Sequence, residues 1–212
     1  MKKSMVSAPV VSRLPRYYRC LEELNASGCV RVSSSTLADR LGLTASQIRQ
    51  DFSCFGEFGQ QGYGYNVRTL LAEISDILGI TQQNTAILVG CGNLGRAIAG
   101  HLDFQSCGIT LMGAFDKSPE LVGVRVGDIT IRPVDQMEAF VRENLPHIAV
   151  LTLPGELAQR VADDLASWGV RSFWNLAGKE IYFSDPAINV ENTSLLDSLL
   201  TLSYRLKEAS GG

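Results

Sequence analysis

The feature that most constrains the fold is a glycine-rich turn between a strand-forming run and a helical pattern. Residues 85–89 form strands readily and lead directly into Gly90-Cys91-Gly92-Asn93-Leu94-Gly95. A G-x-G-x-x-G turn between a buried strand and a helix is the dinucleotide-binding fingerprint. We expect Gly90 to form the tight turn, Gly92 to admit a pyrophosphate to the backbone, and Gly95 to let the helix pack on the strand. A turn without a ligand is the alternative interpretation.

An acidic residue follows this turn at the distance that a ribose contact requires. The strand-like run 109–115 leads into Asp116, 21 residues after Gly95. A carboxylate there accepts hydrogen bonds from both hydroxyls of an adenine ribose and repels a 2′-phosphate, so the favoured cofactors are NADH and NAD+. Lys117 would lie along the adenine, or else be solvated.

The chain after the fingerprint alternates strand and helix, which predicts a doubly wound parallel sheet. Ligands of such sheets lie at the C-terminal ends of the strands. We therefore expect Thr152 and Pro154, which follow a strand, to lie near the nicotinamide. The expected strands are 85–89, 109–115, 147–152, 171–174 and 189–190, the expected helices are 94–102, 135–144 and 155–168, and 121–133 is a loop with short strand pieces.

A second informative stretch, residues 33–55, predicts two short helices around Gly42, which is a helix-turn-helix. Ser34, Ser35 and Thr36 supply caps for the first helix and Thr44 caps the second. Ile48 and Phe52 turn toward the core. The opposite face carries Ser46, Gln50 and Ser53, flanked by Gln47 and Arg49. Such side chains suit base edges and phosphates in a major groove.

Charge is divided unevenly along the chain. Residues 1–56 carry eight Lys/Arg and four Asp/Glu, residues 81–212 carry ten and fifteen, and the net charge is −3. A basic N-terminal part on an acidic body favours binding of a polyanion by the N-terminal part. The alternative is a small three-helix domain with a solvated polar face.

Aromatic residues and glycines alternate over Phe55–Tyr65, as in a short β-hairpin with its tip near residues 59–62. After a helix-turn-helix, such a hairpin is typical of a wing that enters a minor groove. We assign Gln60, Gln61 and Tyr63 to this DNA contact. A hairpin that only completes the core is the alternative.

The remaining segments complete the expected organisation. Residues 1–13 are expected to form a disordered arm, with Pro15 in the first turn of a helix that ends at Gly28 and a short strand at 30–32. Asn66 caps a helix through Leu78 that joins the two domains. A broad apolar arc over 194–209 predicts a final helix with one face on the chain's own sheet and another on a second subunit. The predicted divisions are 1–80, a winged-helix DNA-binding domain, 81–190, a Rossmann domain, and 191–212, a dimerisation helix.

Composition narrows the setting further. No run of about 18 apolar residues is present, so we expect no membrane span and a cytoplasmic protein. Five dispersed cysteines argue against both a disulfide framework and a metal site. Cys91 lies at a helix N-terminus, where the dipole lowers a thiol pKa and favours peroxide sensing, although a small residue that merely fits is the more economical interpretation.

In combination, these stretches resemble the Rex family of bacterial redox-sensing transcriptional repressors. The resemblance covers nearly the whole chain, in order. It rests on Pro15-Arg16-Tyr17-Tyr18-Arg19, Ser46–Asp51, Phe55–Gly59, Gly64–Val67, Val89–Gly95, Phe115-Asp116 and Leu202-Ser203-Tyr204.

The resemblance implies a homodimer on palindromic double-stranded operator DNA, with a C-terminal helix exchanged between subunits. It implies that NADH releases the repressor from DNA, while NAD+ permits or supports binding. The DNA contacts implied or assigned are Arg13, Arg16, Ser46, Gln47, Arg49, Gln50, Ser53, Gln60, Gln61 and Tyr63. The cofactor residues are Gly90, Cys91, Gly92, Asn93, Leu94, Gly95, Asp116, Lys117, Thr152, Pro154 and Asn175.

Three departures from the family pattern stand out. Gln60-Gln61 replaces a basic pair that many members carry at the wing tip, which predicts a weaker dependence on salt. Asn175-Leu176-Ala177-Gly178 stands where many have Asn-Phe-Ala-Pro. Ser194 stands where some have an acidic residue near the start of the last helix, so any inter-subunit contact of that acid must differ here.

Two other functions compete with a repressor. An NAD-dependent oxidoreductase with an attached helix-turn-helix is disfavoured because only one helix follows the last strand and no general base is identifiable. A CoA-binding Rossmann subunit of a ligase has a similar glycine turn, but Asp116 and the N-terminal helices argue against it.

Overall fold

The computed structural model describes residues 6–56, 58 and 63–210. The chain divides into two compact units, Met1–Gln82 and Gln83–Gly212. Within the described residues, no helix is both long and apolar enough to cross a membrane. All five cysteines are free.

The N-terminal unit is a bundle of short helices with a two-stranded ribbon. Its core contains Tyr17, Leu37, Ile48, Phe52 and Leu70, all buried. The elements are α1 (Ala8–Ala26), β1 (Arg31–Val32), α2 (Ser34–Leu41), α3 (Ala45–Ser53), β2 (Tyr65–Asn66) and α4 (Val67–Ile77), with β1 and β2 antiparallel.

Capping side chains set where these helices begin. The Thr44 hydroxyl accepts from the Gln47 N–H at 3.1 Å, and the Asn66 side chain accepts from the Thr69 N–H at 2.9 Å, both as predicted. The first helix of the pair is capped by Ser33, one residue before the caps that the sequence suggested. The helix-turn-helix prediction is confirmed, with Gly42 in left-handed conformation between α2 and α3.

Two predictions for the first helix of this unit are wrong. Helix α1 begins at Ala8, so residues 8–13 are not a disordered arm, and Pro15 lies inside the helix. Pro9 takes the first-turn position, where a missing N–H is harmless, and buried Val10 and Leu14 extend the apolar face backward.

The described part of Phe55–Tyr65 does not form the predicted hairpin. β2 pairs with β1 instead. Phe55 and Phe58 pack against the helical core, and Phe58 meets Phe52 edge-on with ring centroids 5.8 Å apart. Phe55, Phe58 and Tyr65 therefore serve the core, whereas Tyr63 is exposed. The predicted tip at residues 59–62, with Gln60 and Gln61, lies outside the described residues.

The C-terminal unit is a seven-stranded sheet in the order β5-β6-β4-β3-β7-β8-β9. Only the β5–β6 pair is antiparallel. The elements are β3 (Asn84–Val89), α5 (Asn93–His101), β4 (Ile109–Asp116), β5 (Arg125–Val126), β6 (Ile129–Pro133), α6 (Met137–Asn144), β7 (Ile148–Leu151), α7 (Gly155–Ser167), β8 (Ser172–Asn175), β9 (Asn189–Asn192) and α8 (Leu195–Ser210).

Helices cover both faces of this sheet, as a doubly wound fold requires. Residues of α6 and α7 pack with Ile87, Phe115 and Leu151 on one face. On the other face, Ala99 of α5 packs with a cluster that includes Leu88. The predicted α/β fold class is confirmed. The order of strands brings the C-terminal ends of β3, β4 and β7 together at one edge.

Candidate functional site

The glycine turn after β3 has the close packing that the fingerprint predicts. Gly90 has φ +93°, and a Cβ there would lie 2.7 Å from the Thr152 carbonyl oxygen. A Cβ on Gly95 would overlap the Gly90 carbonyl oxygen and lie 2.7 Å from Thr152 Oγ1. The Thr152 hydroxyl donates to the Gly90 carbonyl at 2.5 Å. Helix α5 therefore packs so closely on β3 and on the end of β7 that neither Gly90 nor Gly95 has room for a side chain.

Gly92, in contrast, faces open space. Among the described residues, no heavy atom outside its own turn and its chain neighbours lies within 4 Å of a Cβ built on it. It is the N-cap of α5, where unpaired backbone N–H groups and the positive end of the helix dipole attract phosphate. The turn thus leaves the N-terminus of α5 accessible to an anion.

Asp116 ends β4 next to this turn. Its Oδ2 accepts from the Cys91 N–H at 2.5 Å, and its Oδ1 accepts from the Ser118 N–H at 2.8 Å. Because an ionised carboxylate has about four acceptor positions, two remain for the hydroxyls of a ribose. The carboxylate is half-buried, and both of these donors are backbone N–H groups.

A cleft of about 390 Å³ opens at this edge of the sheet. Its polar rim and backbone floor come from Gly90, Gly92, Asp116, Lys117, Thr152 and Pro154, six of the residues predicted for the cofactor. Its walls are mainly apolar. Leu121, Val134, Met137, Leu157 and Val161 contribute to these walls and were not predicted. Leu157 and Val161 are separated by one turn of α7, which is the only sequence signal for them.

The other predicted cofactor residues are placed differently. Asn93 and Leu94 are exposed on the first turn of α5, and Gly95 is buried beneath it. Asn175 is not brought into the cleft. It is 2% exposed, and its amide donates to the Lys179 carbonyl and to Asn192 Oδ1, both at 2.7 Å. These hydrogen bonds link the loop after β8 to β9.

Cys91 contributes its backbone to the site and hides its side chain. The thiol is fully buried. Burial, and then the nearby Asp116 carboxylate, raise the pKa of Cys91 to about 12. The environment therefore acts against the thiolate that peroxide sensing requires, in spite of the helix dipole.

The candidate DNA-reading face lies on α3 in the N-terminal unit. Ser46, Arg49, Gln50 and Ser53 are exposed there, as predicted. Arg49 donates to the Ser34 hydroxyl at 3.0 Å, which links α3 to the start of α2. Arg16, on α1, is exposed and donates to the Leu41 carbonyl at 2.5 Å. Tyr63 is also exposed, at 70%.

Arg13 and Gln47 have a different environment. Both donate to Asp51, a fully buried carboxylate of α3 that sequence reasoning did not single out. A signal for it existed, since Asp51 lies three residues after Ile48 and next to Phe52, on the buried side of α3.

A helix-turn-helix unit joined to a Rossmann unit with a dinucleotide cleft defines a class, the DNA-binding regulators that respond to a nucleotide ligand. Two family models match, one described as "Putative DNA-binding protein N-terminus" over residues 5–53 and one as "CoA binding domain" over residues 81–178.

Relatives that align over nearly the whole chain identify the family. The "Redox-sensing transcriptional repressor Rex" of Clostridium acetobutylicum is 44% identical over 99% of this chain and 97% of its own length. The protein of the same name from Caldanaerobacter subterraneus subsp. tengcongensis is 46% identical over 98% and 92%.

Solved structures agree with these relatives. RSP in complex with β-NAD+ and operator DNA has a TM-score of 0.91 at 42% identity, covering 98% of this chain and 95% of that one. RSP in complex with β-NADH has a TM-score of 0.89 at 40% identity, covering 98% and 97%. The chain belongs to the Rex family of redox-sensing transcriptional repressors. The relatives are named as repressors, which confirms the prediction of a regulator over an oxidoreductase.

Proposed function

We propose that this protein represses transcription by binding operator DNA and that NADH releases it. The observation that carries the proposal is that one chain holds an exposed recognition helix and a dinucleotide cleft with a ribose-binding carboxylate. The RSP structures with NAD+ and operator DNA, and with NADH, support both ligands for a relative that aligns over 98% of this chain.

The dinucleotide lies along the edge of the sheet in this proposal. The N-terminus of α5 with Gly92 receives the pyrophosphate, and Asp116 receives the adenine ribose. The apolar walls of the cleft suit the adenine ring. Thr152 and Pro154 face the nicotinamide end, since they follow β7 on the far side of the turn. Lys117 lines the cleft beside Asp116.

DNA is read by α3 in the major groove. Ser46 and Gln50 supply hydrogen-bonding groups for base edges, and Arg49 and Arg16 supply positive charge for phosphates or guanine. Ser53 follows on the same exposed face, although its hydroxyl donates to the Gln50 carbonyl at 2.7 Å. Tyr63 is available beside the ribbon. The wing contact of Gln60 and Gln61 stays a prediction.

The active form is a homodimer in which α8 makes the contact between subunits. Its leucine side chains are 59–68% exposed at positions 195, 196, 199, 200 and 202, in a helix of 16 residues. An apolar surface of this kind marks an interface. Two copies would also match a palindromic operator. Residues 1–80, 81–190 and 191–212 would then bind DNA, bind the dinucleotide and dimerise. Such a repressor acts in the cytoplasm, on the chromosome.

Ligand and DNA are coupled through the two arrangements of the dimer. NADH and NAD+ differ by one charge and by the planarity of the ring. Either ligand shifts the binding equilibrium only by its differential affinity for the two arrangements. Coupling of about 1–3 kcal/mol is usual for such linkage.

Selection from a random duplex pool tests this function. The protein with NAD+ should enrich a palindromic sequence, and NADH should then release it at unchanged salt, whereas NADPH should not. If no sequence is enriched and the pure protein oxidises NADH with a small substrate, the oxidoreductase alternative is correct.

A further inference from the structure

A buried carboxylate in α3 joins three side chains of the N-terminal unit. Asp51 is fully buried. Arg13 donates to both of its oxygens, with Nε–Oδ2 at 2.6 Å and Nη2–Oδ1 at 2.9 Å. The Tyr17 hydroxyl donates to Oδ2 at 2.6 Å, and Gln47 Nε2 donates to Oδ1 at 2.8 Å. Four hydrogen bonds therefore satisfy the carboxylate.

The network holds its charge inside the protein. Burial alone would raise the pKa of Asp51, but hydrogen bonds from Arg13, Tyr17 and Gln47 outweigh it and hold this pKa below its ordinary value. The hydrogen bond to Asp51 likewise raises the pKa of Arg13. Both groups stay ionised at neutral pH and cancel each other. Burying such a pair is acceptable only because every polar atom of the carboxylate has a partner.

The network also decides which side chains remain available to DNA. The Arg13 guanidinium is bound bidentately, and its side chain is 21% exposed. The Gln47 amide is held in one orientation by its bond to Asp51. Ser46, Arg49 and Gln50 of α3, in contrast, are exposed and make no bond to Asp51. Arg13 and Gln47 thus differ from these predicted DNA contacts on α3, because both are bound to the buried Asp51.

We propose that Asp51 is the positioning residue of the DNA-reading face, and that Arg13 braces α1 against α3 through it rather than binding a phosphate. Asp51 holds Gln47 in the orientation that is presented to DNA. This inference rests on the proposed function. It also corrects the assignment of Arg13 as a DNA contact and places Gln47 under the control of Asp51. A support residue of this kind limits the freedom of a recognition surface before DNA arrives.

Salt dependence of operator binding separates bracing from phosphate contact. The association constant for DNA falls as salt rises, and each phosphate contact adds roughly 0.9 to the steepness of log K against log salt. We compare the wild type with Arg49→Gln, with Asp51→Asn, and with the double variant Arg13→Gln/Asp51→Asn, which replaces the ion pair by a neutral amide pair. Affinity for the operator and for an unrelated duplex is measured at several salt concentrations, and NADH binding reports an intact C-terminal unit.

Arg49→Gln should make this salt dependence shallower, with the steepness reduced by roughly one per subunit. The double variant should keep the wild-type slope while its preference for the operator over the unrelated duplex falls roughly tenfold. Asp51→Asn frees the positive charge of Arg13. The salt dependence of this variant should therefore become steeper, and the variant should bind unrelated DNA more tightly.

Two results overturn the inference. A double variant whose slope falls as far as that of Arg49→Gln shows that Arg13 contacts a phosphate. Equal weakening of operator and unrelated DNA by Asp51→Asn, at unchanged slope, shows that Asp51 only stabilises the fold. If Asp51→Asn does not fold, the double variant decides alone. A wild type that binds no operator refutes the proposed function instead.

Discussion

Two carboxylates, Asp51 and Asp116, each organise one unit of this protein, and they do so in opposite ways. Asp51 is fully buried and is bound by side chains that lie 38, 34 and 4 residues away in the sequence. Asp116 is half-buried and is bound by backbone N–H groups of Cys91 and Ser118. The first carboxylate is satisfied by the fold, whereas the second keeps acceptor positions that face a cleft.

The type of donor distinguishes a bracing carboxylate from a ligand-binding one. Side-chain donors that converge on a buried carboxylate tie their helices together. Removing any one of them is costly, because it leaves a buried charge without compensation. Backbone donors shape a turn and leave the remaining lone pairs for a ligand. Loss of Asp51 should therefore affect stability first, and loss of Asp116 should affect dinucleotide binding first.

The largest expected effect is that of Asp51→Ala. Removing one partner of a buried ion pair costs about 3–5 kcal/mol, because Arg13 and Tyr17 lose their acceptor. Hydrogen exchange of the α1 and α3 amides should show the loss. Fluorescence of Trp168 and Trp174, both in the C-terminal unit, should remain unchanged and serves as the control. Normal protection of α1 in this variant would mean that the ion pair braces nothing.

Gly95→Ala should come next, in the other unit. Its Cβ would overlap the Gly90 carbonyl oxygen, so we expect a loss of about 3 kcal/mol, the upper end for an overpacked site, together with loss of NADH binding. Gly92→Ala is the matched control, because its Cβ meets nothing within 4 Å. It should unfold like the wild type in denaturant and still bind NADH more weakly. Equal stability of the two variants would contradict the packing described here.

Asp116→Ala should act mainly on dinucleotide binding. Hydrogen bonds to a charged group contribute about 1.5–3 kcal/mol, so NADH affinity should fall roughly 10- to 100-fold. Discrimination against NADPH should relax as well, since a repelling charge is gone. Calorimetric titration measures both. A variant that loses stability as strongly as Asp51→Ala while binding NADH normally would reverse the roles assigned to the two carboxylates.

The smallest expected effect concerns Cys91. With a pKa of about 12, roughly one thiol in ten thousand is ionised at pH 8. Mass spectrometry after brief alkylation should find the exposed Cys54 and Cys107 modified and Cys91 unmodified. Operator release by NADH should be the same in Cys91→Ser before and after peroxide. Rapid modification of Cys91 would restore the sensing hypothesis.

The sequence predicted the parts of the molecule whose causes are local. The strand-turn-helix at Gly90, the caps at Thr44 and Asn66, and the alternation of strands and helices all depend on neighbouring residues. Asp116 was found because a fixed spacing follows from the β-α-β unit. These elements required no knowledge of distant contacts.

Features that depend on distant contacts were missed. Pairing of β2 with β1 joins residues more than 30 positions apart, so the aromatic stretch looked like a hairpin of its own. The brace at Asp51 needs Arg13 from another helix, and the apolar wall of the cleft contains residues from separate segments of the chain. Asn175 was assigned by resemblance, while its amide serves the adjoining loop. Periodicity reveals which face is buried but not which partner it meets.

Operator binding should be measured across NADH:NAD+ ratios, at constant total dinucleotide and constant salt. If NADH releases the repressor, the dissociation constant of the wild type should rise about 5- to 150-fold from pure NAD+ to pure NADH, the range that corresponds to a coupling of about 1–3 kcal/mol. Asp116→Ala should give a nearly flat curve with operator binding preserved. An operator affinity that stays constant across the ratio, while NADH saturates its cleft, would show that the dinucleotide does not control DNA binding.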